Sequence, residues 1–178
     1  VDHPVEYVSF NLGVFESKEI IVENLPPVKV YMSEQIDHQA IALYNAYFGN
    51  LSSADMIGQV TADVTNSLAF FTSIFGPCPF DTIKATEIPF TGEGQGSPGL
   101  IHLTWSTFQT DDIQGYSETF RAHEVAHQWW GHLIDKDSYR DIWITEGLAN
   151  YSGLWFYEMS SKEARSVKNM LSYWKDNI

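Results

Sequence analysis

Cysteine is all but missing from this chain: Cys78 is the only one in 178 residues. An internal disulfide and a thiolate zinc cluster are both excluded, since each needs more than one sulfur. Flanked by prolines in GPCPF, Cys78 reads as a packed structural residue. Positive charge is scarce as well, with 10 Lys and Arg against 23 Asp and Glu and a formal charge of -13. A phosphate backbone needs a basic face, so no nucleic-acid partner is expected. No apolar run approaches the roughly 20 residues that span a bilayer, and no membrane segment is expected in this chain. Internal repeats and low-complexity tracts are missing too. What is present is 44% hydrophobic and 15% aromatic residues, enough for one packed domain with a real core.

Both ends read as cut. Val1 opens the chain shortly before the alternating stretch VEYVSFNLGVF, and Ala164, Val167, Leu171 and Trp174 keep helical spacing with no glycine cap after them. The chain is therefore expected to be a piece of something larger. Between the ends, strands and helices alternate. Residues 5–15 and PPVKVYM read as strands. Ser52-x-x-Asp55 is a candidate capping box for a helix whose apolar stripe is Ile57, Val60, Val64, Leu68, Phe71 and Phe75. FGPCPF breaks that helix. DTIKATEIPF and GLIHLTW read as strands on either side of the loop TGEGQGSPG. Helices follow over about 117–133, about 142–159 and from about 161 onward.

The chemistry concentrates in TFRAHEVAHQWWGHL, residues 119–133. Residues four apart share a helix face, so His123 and His127 can point both imidazoles at one ion. Glu124 lies about 100° round the helix from His123, badly placed as a third ligand but well placed to reach a water beside the ion. The bland alternative is three polar residues that share a helix. A catalytic zinc takes three protein ligands, and Glu146 in DIWITEGLANY stands nineteen residues after His127 on the next expected helix. With it the residues make a His-His-Glu set. Asn150, one turn further on, is placed to hydrogen-bond a ligand histidine, or is a plain surface asparagine. His132 reads as a surface residue or a support for the ligands, His102 as a structural histidine in mid-strand, and Trp129 and Trp130 as core and pocket wall. His3 and His38 have no partner signal.

HEVAHQWWG followed by WITEGLANY is similar to the signature of the gluzincin family that contains the alanyl aminopeptidases and leukotriene hydrolase. That signature is H-E-x-x-H, eighteen residues, then E within W-x-x-E-G-x-A-x-Y. Upstream, YVSFNLGVFES resembles the family's opening strand, and FFTSIFGPCPFDTIKATEIP its helix and following strand. The resemblance implies an α+β fold, the N-terminal part of a thermolysin-like zinc peptidase catalytic domain, with a mixed β-sheet packed against the zinc-binding helices. It covers nearly the whole chain and implies a single domain fragment over 1–178. Within it, 1–50 is a strand-rich opening region, 51–116 carries helix, edge strand and substrate loop, and 117–178 carries the zinc-binding helices.

By the same resemblance His123, His127 and Glu146 are ligands of one zinc ion, Glu124 is the general base, and the substrate is a peptide. Gly96, Ser97, Gly99 and Leu100 fall at substrate-binding positions, and the strand near 100–104 is expected to pair with the peptide backbone. The chain departs from the pattern in three places. The anchor motif G-x-M-E-N reads Glu93-Gly94-Gln95-Gly96-Ser97 here, so the glutamate that holds a substrate's free amino group is Gly96. The asparagine before the third ligand is Thr145. The oxyanion tyrosine falls past residue 178, along with the remaining domains of the parent, and Tyr151 matches a different, structural position. An aminopeptidase-type peptidase is the first expectation; an endopeptidase or relaxed peptidase, and a zinc-holding scaffold without turnover, are the alternatives.

Overall fold

The computed structural model describes residues 9–34, 42, 46, 56–89, 94–108, 115–161, 167–169, 171, 172 and 175. Five strands form one sheet: β1 (Phe15–Ile20), β2 (Val28–Ser33), β3 (Ile83–Ile88), β4 (Gln95–Ser97) and β5 (Leu100–Thr104), in the order β1-β2-β3-β5-β4. The sheet is mixed. β2–β3 and β3–β5 are parallel, while β1–β2 and β4–β5 are antiparallel. Among the described residues three helices have defined bounds, α1 (Ile57–Phe75), α2 (Tyr116–Ala126) and α3 (Ile142–Ser160), and residues 42, 46, 167–169, 171, 172 and 175 are helical as well. The fold is α+β.

The core follows from the apolar periods. Every second residue of the central strands is apolar, and Val28, Val30, Ile83, Ala85, Ile101 and Leu103 are fully buried. Against them lies the α1 stripe, with Ile57, Val60, Val64, Leu68 and Phe71 buried at three-to-four spacing. α1 ends where Gly76 takes φ 94° and its N–H returns to the Thr72 carbonyl, just ahead of Pro77. The candidate capping box at Ser52 and Asp55 lies outside the described residues. On its far side α1 meets α2 and α3 through an aromatic cluster in which Phe71 contacts Phe75, Trp129 and Phe156.

A buried ion pair ties these layers. The Arg121 guanidinium of α2 donates to Asp63 of α1 and to the Thr107 carbonyl, with side chains only 1% and 7% exposed for the pair.

Three expectations need correction. Residues 9–14 are not strand, because β2 supplies partners only from Phe15↔Ser33 onward, and Phe10 and Leu12 are left exposed. α2 stops at Ala126 rather than near 133. The bonds Gln128 N–H to Val125 O and Trp129 N–H to Ala126 O tighten the last turn, and Gly131 at φ 118° turns the chain away. Finally, β5 is an inner strand, with β3 along one side and β4 against Leu100–His102 on the other, so the edge strand on this side of the sheet is β4.

Candidate zinc site

The C-terminal end of α2 positions one candidate ligand. His127 caps the helix, and the turn beyond it brings the Trp130 carbonyl to 2.8 Å from its Nδ1. A carbonyl only accepts, so Nδ1 carries the proton and the lone pair sits on Nε2. One turn earlier, His123 places its own Nε2 3.0 Å from that atom.

The third donor arrives because α3 crosses α2 in backbone contact. Gly153 makes this possible: a Cβ there would lie 2.7 Å from the Thr119 carbonyl oxygen and 3.1 Å from the His123 nitrogen. Two turns up α3, Glu146 then sits with Oε2 3.6 Å from His123 Nε2 and Oε1 3.6 Å from His127 Nε2.

These distances test whether the residues fit a zinc ion. Zinc bonded tetrahedrally at about 2.0–2.2 Å sets neighbouring ligand atoms about 3.3–3.6 Å apart. Each imidazole Nε2 lies 3.6 Å from one of the two Glu146 oxygens, within that range, and the two Nε2 atoms stand 3.0 Å apart, slightly closer than it. The donor chemistry of this set, two imidazoles and a carboxylate, is that of a catalytic rather than a structural site. Ligand atoms of His123, Glu124 and His127 also lie within 4.8 Å of one another, so the Glu124 carboxylate stands beside the set. Glu124 is 3% exposed.

Electrostatics mark the same residues. Burial and the neighbouring His127 hold His123 down to about 4. Burial works against the charged form of His127 as well, but Glu146, the Trp130 carbonyl and Glu124 outweigh it and raise its pKa. Contact with His127 lowers that of Glu146 despite partial burial. Asn150 approaches His123 as a loose hydrogen-bond partner, while the buried His123 Nδ1 has no bonded partner among the described residues.

The set opens into a cleft of about 760 Å³, lined among others by Gly94, Gln95, Gly96, Tyr116, Phe120, Thr145 and Asn150. Of the four residues expected at substrate, only Gly96 lines it. Ser97, Gly99 and Leu100 are held in the sheet instead. The buried Gln128 side chain accepts from the Gly99 N–H and donates to the Ser97 carbonyl, clamping the β4–β5 turn to α2. Leu100 pairs with Lys84 and Ser97. Gln128 went unnoticed in the sequence because nothing in its spacing signals a turn thirty residues away. His132 was underrated for a similar reason: its Nε2 sits 2.6 Å from the Gly96 carbonyl oxygen, on the cleft wall.

The remaining residues fall into place. His102 is buried in β5, 3.4 Å from the Ser9 hydroxyl. Trp129 is core, and Trp130, partly buried, donates its indole N–H to Ser152, so neither lines the cleft. Tyr151 is exposed and packs near Trp155. Thr145 donates its hydroxyl to the Ile142 carbonyl within its own helix. Glu93, His3 and His38 lie outside the described residues.

An imidazole pair one turn apart, a carboxylate from the next helix and a buried glutamate beside them, set against a mixed sheet, are the arrangement that the resemblance to the gluzincin zinc metallopeptidases implies. Residues 100–177 match the Peptidase family M1 domain. The chain is 34% identical over 106 residues to Aminopeptidase 2, mitochondrial, of Saccharomyces cerevisiae, covering 53% of this chain and 11% of that protein. It is 24% identical over 194 residues to Tricorn protease-interacting factor F2 of Thermoplasma acidophilum, covering 92% of this chain and 25% of that protein. A two-domain M1 zinc metallopeptidase, solved with L-arginine, shares the fold at a TM-score of 0.60 and 16% identity, over 92% of this chain and 32% of the solved one. The chain thus spans only a tenth to a quarter of the length of these relatives. Over residues 100–177 it is similar to the Peptidase family M1 domain, and in fold to a zinc metallopeptidase of that family.

Proposed function

We propose that residues 1–178 are a fragment of one catalytic domain and that the protein carrying them is an aminopeptidase-type zinc peptidase. In this reading His123, His127 and Glu146 hold one zinc ion, and Glu124 is the general base. The observation that carries it is two imidazole Nε2 atoms 3.0 Å apart, each 3.6 Å from one oxygen of the Glu146 carboxylate, with the Glu124 carboxylate alongside.

When bound, zinc supplies a Lewis acid that polarises the scissile carbonyl and acidifies water. The chain's own residues do the rest. Glu124 takes a proton from the attacking water on a carboxylate oxygen and hands it to the leaving amide nitrogen. Its burial keeps bulk water from competing for that proton. Trp130 fixes the tautomer of His127 through Nδ1, so Nε2 faces the ion. Asn150 stands beside His123 for the same office. A peptide lies along the outer edge of β4, where Gly96 presents bare backbone to the cleft.

The test is Glu124→Gln in the full-length protein. The amide keeps the shape and cannot accept the proton, so turnover falls by roughly 10²–10⁴-fold while elemental analysis finds the metal retained. A Gln variant that stays active, or that loses zinc, overturns the role of Glu124. A wild type that binds zinc and hydrolyses no peptide makes the domain a scaffold.

A further inference from the structure

We infer that His132 is a positioning residue for the peptide: it fixes the Gly96 carbonyl on the outer edge of β4, and so sets where a peptide backbone lies relative to Glu124 and His127. The inference rests on the peptidase reading above. The pairing of the sheet decides which way Gly96 faces. The Lys84 N–H of β3 donates to the Gly99 carbonyl, and Lys84 stands opposite Leu100. Backbone groups alternate along an inner strand, so Gly99 and Ile101 turn theirs to β3 while Leu100 and His102 turn theirs to β4. Gly96 stands opposite Ile101. Its N–H and C=O therefore both point away from β5, to the edge along which a peptide would pair.

That edge is weak by itself. β4 is three residues long, its ladder is with β5 alone among the described strands, and its middle residue is a glycine with no side chain to pack. Side chains from beyond the end of α2 hold it in place. Gln128 bonds the Ser97 carbonyl at 3.2 Å and the Gly99 N–H at 2.9 Å, which pins the turn. His132 reaches the outer edge. Its Nε2 lies 2.6 Å from the Gly96 carbonyl oxygen, and since a carbonyl only accepts, Nε2 is the donor. The imidazole is itself aimed. Gly131 at φ 118° folds the chain back, with its N–H bonded to the Ile134 carbonyl at 2.9 Å. The Phe80 ring stands edge-on to the imidazole, with 6.2 Å between centroids. Beneath Gly96 there is no slack: a Cβ there would lie 2.7 Å from His127 Cβ and 2.9 Å from the Glu124 carbonyl oxygen. His132 thus holds the peptide-bearing edge against the helix that carries the reacting groups.

The experiment uses the full-length protein, with trialanine as the peptide and acetohydroxamate as a small ligand that reaches zinc without pairing to β4. His132→Ala should weaken calorimetric binding of trialanine to the zinc-stripped protein about 2- to 12-fold, the net worth of one hydrogen bond. KM for hydrolysis by the zinc-loaded protein should rise by the same factor with kcat little changed, because the pairing is made before and during the reaction. Zinc affinity and inhibition by acetohydroxamate should not move. His132→Gln should restore trialanine binding, since its amide Nε2 can donate in place of the imidazole. Unchanged trialanine binding in His132→Ala, an equal loss for acetohydroxamate or zinc, or no recovery in His132→Gln overturns His132 as the positioning residue and leaves the peptidase reading standing. A zinc-loaded wild type that hydrolyses no peptide removes that reading, and the inference with it.

Discussion

Two glycines on α3 make a controlled experiment on how the site is assembled. Gly147 is exposed, and a Cβ there meets nothing within 4 Å. Gly153 faces α2, where a Cβ would press on backbone atoms alone: the Thr119 carbonyl oxygen at 2.7 Å, and His123 N and Cα at 3.1 and 3.4 Å. Replacing either by alanine gains the same helix propensity, about 0.8–1.0 kcal/mol. At Gly147 that gain stands alone, so Gly147→Ala should stabilise the protein by about 1 kcal/mol. At Gly153 it is opposed by overpacking of about 1–3 kcal/mol, because neither helix backbone can give way locally. The difference between the two variants isolates the helix–helix contact. At about 2–4 °C per kcal/mol for a chain of this size, Gly153→Ala should melt about 2–12 °C below Gly147→Ala. A second readout follows from the geometry. Glu146 lies seven residues from Gly153, about 10.5 Å along the same rigid helix. Pushing α3 off α2 lifts its carboxylate away from the imidazoles, so Gly153→Ala should also bind zinc more weakly. Differential scanning fluorimetry with and without zinc measures both. Equal melting temperatures and equal zinc affinities would refute the claim that this close crossing positions the third ligand.

Zinc at a hundred times its dissociation constant should add about 2.7 kcal/mol of stability, a rise of about 5–11 °C that a chelator reverses. Glu146→Ala should weaken zinc by more than the roughly 10–100-fold typical of losing an outer hydrogen-bond partner, the class to which Asn150→Ala belongs; equal losses in titration would remove Glu146 from the ligand set. Asp63→Ala should cost about 3–5 kcal/mol, because it strands the buried Arg121 guanidinium. In chemical denaturation, adding Arg121→Met should recover most of that loss, and a double variant no better than the single one would argue against the pair.

The candidate residues could be named from the sequence because their proposed chemistry is written in short-range spacing. His123, Glu124 and His127 lie within five positions of one helix, and a period of 3.6 residues puts both imidazoles on one face. Apolar periods likewise marked β2, β3, β5 and the full length of α1, from Ile57 to Phe75. Those signals are local, and the chain carries them before it folds. What tertiary structure decided was every relation between distant elements. Alternation over residues 5–15 looked like a strand, but over its described part, residues 9–15, β2 supplied a partner only at Phe15. β5 looked free to pair with a peptide until β3 took one side of it and β4 met Leu100–His102 on the other. Gln128, His132, Asp63 and Arg121 carried no spacing signal, since each meets partners at least fourteen positions away. The same holds for the glycines. Composition says only that Gly94, Gly96 and Gly153 lack a side chain. The packing of β4 and α3 against α2 is what makes that lack necessary at Gly96 and Gly153, where an added carbon would press on backbone or Cβ atoms of α2 and its cap, whereas at Gly94 it would meet only the ends of the Glu124 and Phe120 side chains.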